Sequence, residues 1–187
     1  MRKLLPALLL LLVFPAVAAA TTLLAMYLDD LTSESQTVAY GRVVGARTEW
    51  DTAHNWIFTV YTIQPTQYLK GNLGTSFELR EPGGERDGIG MIVAGVPQFQ
   101  VGQESVLFVW TDPKGFHQVI GFEQGAVLIA TDSATGTKTA TRSIALGSAR
   151  AAAVVSAGHP STGRVLPQLL DQIRLSVAKS SQSGSGE

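Results

Sequence analysis

ESVLFVWTDPKGFHQVIGF, residues Glu104–Phe122, decides how the rest of the chain is read. Val106 to Trp110 is an unbroken apolar run, the pattern of a strand covered on both faces. Asp112-Pro113-Lys114-Gly115 follows with strong turn chemistry, since proline presets φ and glycine accepts a positive one. Together they predict a hairpin into FHQVIGF. A second hairpin lies just downstream, where DSATG (132–136) joins AVLIAT (126–131) to TKTATRS (137–143).

Working outward, the same β chemistry continues upstream. TVAYGRVVGARTEW (37–50) reads as a strand rich in Val and Tyr, with Gly41 and Gly45 permitting bends or close packing. WIFTVYTIQPTQYLKG (56–71) is a second strand, and Pro65 predicts an edge position or a bulge near its middle. Lys70-Gly71-Asn72 turns the chain into the shorter SFELREP (76–82). Helical spacing appears only at the ends. Leu24, Tyr27, Leu28 and Leu31 recur at i, i+3, i+4 and i+7, with Thr21 or Thr22 as cap. Leu166, Leu169, Leu170, Ile173 and Val177 form the second stripe, with Pro167 in its first turn. Residues 143–163 are rich in Ala, Ser and Gly and have no clear period.

Short strands with tight turns and a helix at each end predict a mainly β domain, a small OB-like barrel, closed or partly open. A flattened sandwich is the alternative. Closure would remove the strand edges that invite aggregation. The domain is expected over residues 21–178, with a disordered tail at 179–187 that has nothing to bury.

Residues 1–20 have the layout of a secretory signal peptide: Arg2 and Lys3, an apolar centre from Leu4 to Phe14, then small residues. That centre is short beside the about 20 residues a membrane span needs. An uncleaved N-terminal anchor is the alternative. Without Arg2 and Lys3 the chain has 12 Lys+Arg against 15 Asp+Glu, so nothing in its charge attracts nucleic acid. There is no cysteine, which excludes thiol catalysis and cysteine metal sites. The expected location is secreted or periplasmic, with no membrane association after signal removal.

The segments YLKG (68–71), PGG (82–84) and GVPQFQVGQ (95–103), in this order between VAYGRVVGARTEW and GFEQGAVLI, carry a likeness. Over about residues 24–130 the chain resembles uncharacterised secreted bacterial proteins with a TIMP-like, netrin-module-like barrel. The resemblance implies that barrel and an expectation of protein–protein binding. Tissue inhibitors of metalloproteinases insert an N-terminal cysteine into the protease's zinc site. With no cysteine here, that inhibitory mechanism does not carry over.

EPGGERDGIGMIVAGVPQFQVGQE, Glu81–Glu104, is the candidate site. Its glycines lie between strand-like segments and miss the G-x-G-x-x-G spacing, and Glu85 and Asp87 would repel a phosphate. Glu81, Glu85 and Asp87 are hard ligands suited to calcium, but Arg80 and Arg86 compete for them, so solvated or ion-paired carboxylates are expected. Ile89, Met91, Ile92, Val93, Val96 and Phe99 need cover. Either this part caps the barrel core or it offers a surface to a partner. Trp50 and Trp56 bracket a turn containing His54. They form either a cross-strand aromatic pair or a platform for a sugar or peptide.

His54, His117 and His159 are far apart, and neither HExxH nor G-x-S-x-G is present. GTKT (136–139) lacks the glycine a Walker loop needs, and nothing in the spacing singles out two of Glu78, Glu104 and Glu123 as an acid/base pair. The expectation is therefore a non-enzymatic binding module without cofactor or metal. It would present loop 83–99 to a secreted or envelope protein, through Ile89, Met91, Ile92 and Phe99, with Trp50, His54 and Trp56 nearby. The alternatives are a protease inhibitor or protease-associated factor, implied by the resemblance, and carbohydrate binding through Trp50 and Trp56.

Overall fold

The computed structural model describes residues 25–142 and 164–183. The expectations for the signal segment, for 143–163 and for 184–187 lie outside the described residues, as do Thr21, Thr22, Leu24 and His159. A short helix, α1 (Leu28–Glu34), leads into a long antiparallel hairpin of β1 (Thr37–Trp50) and β2 (Ile57–Lys70). β3 (Phe77–Pro82) follows, then β4 (Gly84–Arg86) and β5 (Ile89–Met91). β6 (Glu104–Thr111), β7 (His117–Val119), a 3-10 turn (Phe122–Gly125), β8 (Ala126–Thr131) and β9 (Lys138–Arg142) complete the N-terminal part. β10 (Arg164–Val165) runs straight into α2 (Leu166–Ser183).

Five strands close a barrel. The order is β1-β2-β3-β7-β6 and back to β1, antiparallel except for the β3–β7 pair. β7 and β8 share one edge of β6: β7 takes Val109–Thr111, and β8 takes Glu104–Leu107 before leading away to β9 and β10. This division explains the unbroken apolar run of β6. Leu107 and Val109 enter the barrel interior with Ala39, Val43, Ile63, Leu79 and Val119. Val106 and Phe108 face a second core that α1 and α2 close with Leu31, Leu169, Leu170 and Ile173. Fully burying each such side chain contributes about 1.5–3 kcal/mol. Trp110, at the end of the run, is 37% exposed and belongs to neither core.

The hairpin bends by bulges. Register shifts fall at Val38/Ala39, Tyr40/Gly41 and Val43/Gly45. Gly41 lies opposite Pro65, and a Cβ there would stand 2.7 Å from the Gln64 carbonyl oxygen and 2.9 Å from Pro65 Cα. Pro65 also lies beyond the β3 pairing, which reaches only Ile63, so its missing N–H costs no ladder bond on that side. Both turns of the opening stretch form: Asp112 Oδ1 accepts from Lys114 and Phe116, and Asp132 Oδ1 from Ala134 and Thr135.

Several expectations need correction at the edges. α1 starts at Leu28, with the Asp30 carboxylate accepting from the Tyr27 N–H, and Tyr27 is exposed. Lys70 Nζ donates to the Thr32 and Ser33 carbonyls at its other end. FHQVIGF is a strand for only three residues, because Gly121 and Phe122 adopt positive φ and start the 3-10 turn. The expected disordered tail begins too early: α2 continues to Ser183, with Ser180 and Ser181 hydroxyls donating to the Val177 carbonyl.

Candidate functional site

The glycine-rich stretch is not one loop. Gly83 (φ 109°) and Gly84 (φ 128°) bring the chain against the β1–β2 hairpin, where a Cβ on Gly84 would sit 2.5 Å from Thr59 Oγ1. The Gly83 N–H donates to the Ile57 carbonyl, and Thr59 Oγ1 donates to the Gly83 carbonyl. The chain then forms the β4–β5 hairpin, turned by Asp87 (φ 54°) and Gly88 (φ 76°). Two central residues with positive φ match the primed turns that suit hairpins. The sequence reading missed this element although Asp-Gly was its signal.

Trp50 and the turn at residues 51–56 dock on that hairpin. Trp50 Nε1 donates to Asp87 Oδ2 at 2.8 Å, and its ring stacks on His54 with centroids 5.8 Å apart. Asp51 Oδ1 accepts from the Asn55 and Trp56 amides, which holds the turn. The expected Trp50–Trp56 pair is corrected accordingly: the ring partner of Trp50 is His54, and Trp56 is left about half exposed. The two indoles do not form a joint platform.

The apolar residues of the stretch divide in two. Val96 and Phe99 are buried; Phe99 joins the barrel interior and meets Tyr61 edge to face at 5.1 Å. Phe99 is therefore a plug, which corrects its expected place on a binding surface. Ile92 is 89% exposed and Ile89 54%, while Met91 is half-buried. Between plug and tip, the Gly95 carbonyl accepts from the Glu123 N–H, and Gly95 packs on Phe122. A groove of about 420 Å³ runs between this segment and β8, with Ile92, Phe99 and Leu128 on its walls. A second hollow, of about 310 Å³, lies across Val96, toward Trp110 and Phe122.

Glu81 lies beneath the same segment. Its carboxylate accepts the Val119 N–H at 2.7 Å and extends a β3–β7 seam whose only ladder pair is Leu79–His117. Burial pushes its carboxyl up to about 7, against a weaker downward pull from the Val119 hydrogen bond. A solvated or ion-paired state was expected, and the correction follows from β3 alternation, which points Glu81 inward after Phe77 and Leu79. Glu81, Glu85 and Asp87 are not assembled around a cation. Among the described residues no group of three or more His, Asp or Glu side chains is placed to hold a metal.

The sequence reading also missed an outer-face cleft of about 440 Å³ over β1, β2 and β3. Arg47 grips Glu78 with both nitrogens, at 2.6 and 3.0 Å, and Arg80 binds Glu49 at 2.8 Å. The Arg80 guanidinium lies 3.5 Å from the Phe58 ring centroid and 4.5 Å from that of Phe116. Val60 is buried between the strands that carry these pairs. The available signal was Arg-x-Glu on β1 facing Glu-x-Arg on β3, two complementary alternations either side of β2. His117 at the rim is held below its ordinary value by burial, and Arg47 holds the Glu78 carboxyl below its own.

Chemically, these carboxylates are already committed. Glu104 accepts from Lys138 Nζ and the Tyr40 hydroxyl, both at 2.6 Å, and pairs with Arg42. Glu78 and Glu104 thus each sit with cations of their own, and no acid/base pair of the two is assembled. No described helix is long and apolar enough to cross a membrane. Comparison with family models, with curated proteins and with solved structures finds no match to this chain.

Proposed function

We propose that the protein is a non-enzymatic binding module that holds a protein partner of the cell envelope or medium at the face around residues 89–97. The observation that carries this reading is Ile92, exposed at 89% on the rim of an apolar groove, with Leu128 at 40% and Phe122 at 41% close by. Water-facing apolar groups gathered about one groove are a mark of recognition surfaces. The residues beneath them, Val96 and Phe99, are anchored in the barrel, so the surface is held in shape before any partner arrives. The strand order, with its single parallel pair, fits an OB-type barrel, and the signal-peptide layout of residues 1–20 supports an exported protein.

The test is an Ile89→Ser/Ile92→Ser double variant, compared with wild type in affinity capture from the secreting host and in thermal unfolding. Loss of a specific captured protein with an unchanged midpoint supports the reading. Identical capture, or a fall in midpoint that marks these residues as core, defeats it. A sugar site would require Trp50 to give up Asp87 and His54, so the carbohydrate alternative is the weaker one. The protease-inhibitor alternative stands on the resemblance alone.

A further inference from the structure

Glu81 is 5% exposed, yet two hollows open beside it under residues 93–98. One, of about 130 Å³, is bounded by Thr59, Val93 and Pro97; the other is the hollow toward Trp110 and Phe122. The seam it completes is weak, since β3 and β7 share a single ladder pair. Val96 borders both hollows, and the covering segment continues directly into Ile92.

We propose that Glu81 is a proton-operated latch, closed when its carboxyl is neutral and opened by ionisation, which draws water into the hollows and loosens residues 93–98 together with Ile92. The inference rests on the proposed binding face and concerns its regulation. Two charges could in principle offset an ionised Glu81, and neither is placed to do so. Arg80, its neighbour on β3, is bound to Glu49 in the outer cleft, and His117 of β7 lines that same cleft. Of the side chains lining the two hollows with Glu81, Tyr61 is the only other titratable one; Gln98, Gln118 and Trp110 are neutral. Glu123, on the 3-10 turn, lines the groove on the far side of the segment. A buried carboxylate without a cation must recruit water to ionise. The value of about 7 places that event near neutral pH.

Hydrogen–deuterium exchange of the full chain at about pH 5.5 and pH 8.5, corrected for the intrinsic rate, reads the latch without any partner. In wild type, protection of the 93–99 and 117–120 amides should fall at least tenfold at the higher pH, while the β1–β6 pairing should not change. In Glu81→Gln, whose amide oxygen can still accept from Val119, protection should be equal at both pH values. Unchanged wild-type protection overturns the proposal whether or not the variant folds, as does an equal fall in the variant. Because no partner enters the assay, its failure leaves the binding face standing, and failure of the Ile89→Ser/Ile92→Ser test leaves the latch standing.

Discussion

Phe99→Ala separates a plug from a surface. Phe99 is 7% exposed, packs with the barrel interior and meets Tyr61 edge to face. Removing the ring forfeits about 2–3 kcal/mol of apolar burial. The lost aromatic contact adds about 0.5–1.5 kcal/mol. The remaining void adds a cavity cost, so the total should fall within the roughly 3–5 kcal/mol of buried Phe→Ala changes. For a chain of this length that is on the order of 10 °C in the unfolding midpoint. Ile92→Ser, only seven residues away in sequence and 89% exposed, should stay within about 0.5 kcal/mol of wild type. Urea unfolding followed by circular dichroism measures both. A Phe99→Ala variant as stable as wild type would refute the plug, and a loss above about 2 kcal/mol for Ile92→Ser would refute its exposure.

Other outcomes follow from the same contacts. Glu81 keeps its proton to about pH 7 when folded, against 4.5 for an ordinary carboxyl, so folding binds a proton between those values and stability falls as pH rises through that window. Glu81→Gln removes the effect; urea titrations should show it more stable than wild type by about 3 kcal/mol at pH 8 and no more stable at pH 4. Gly41→Ala should cost about 1–3 kcal/mol in the same assay, since its Cβ would press on the Gln64–Pro65 backbone. Arg80→Ala should lose about 1–2 kcal/mol by uncovering Phe58 and Phe116, whereas Glu49→Gln, which only breaks the partly exposed ion pair, should lose less than about 0.5 kcal/mol by thermal unfolding.

The barrel was legible where local chemistry and burial agree. The turns at Asp112–Gly115 and Asp132–Gly136 are built by their own Asp side chains, and Leu166, Leu169, Leu170 and Ile173 do pack as one stripe. The bulge at Pro65 was likewise visible in the proline itself. What stayed hidden depends on which surface a residue meets. Val96 and Ile92 are both aliphatic members of one glycine-rich run, and only the barrel's open end distinguishes them. Glu81 looks like a solvent carboxylate until β3 alternation and the β7 amide claim it. Trp50 and Trp56 flank a turn symmetrically in sequence, but the β4–β5 hairpin docks on Trp50 alone, through Asp87.

Site-specific photo-crosslinking in the secreting host tests the central claim most directly. The photoreactive residue is placed at position 92 and, as a control, at Leu175, an equally apolar residue 65% exposed on α2. A discrete crosslinked protein from position 92 that is absent from position 175 is the expected result. No adduct at 92, or the same adducts from both positions, would contradict the assignment of this face as the place where the protein makes contact.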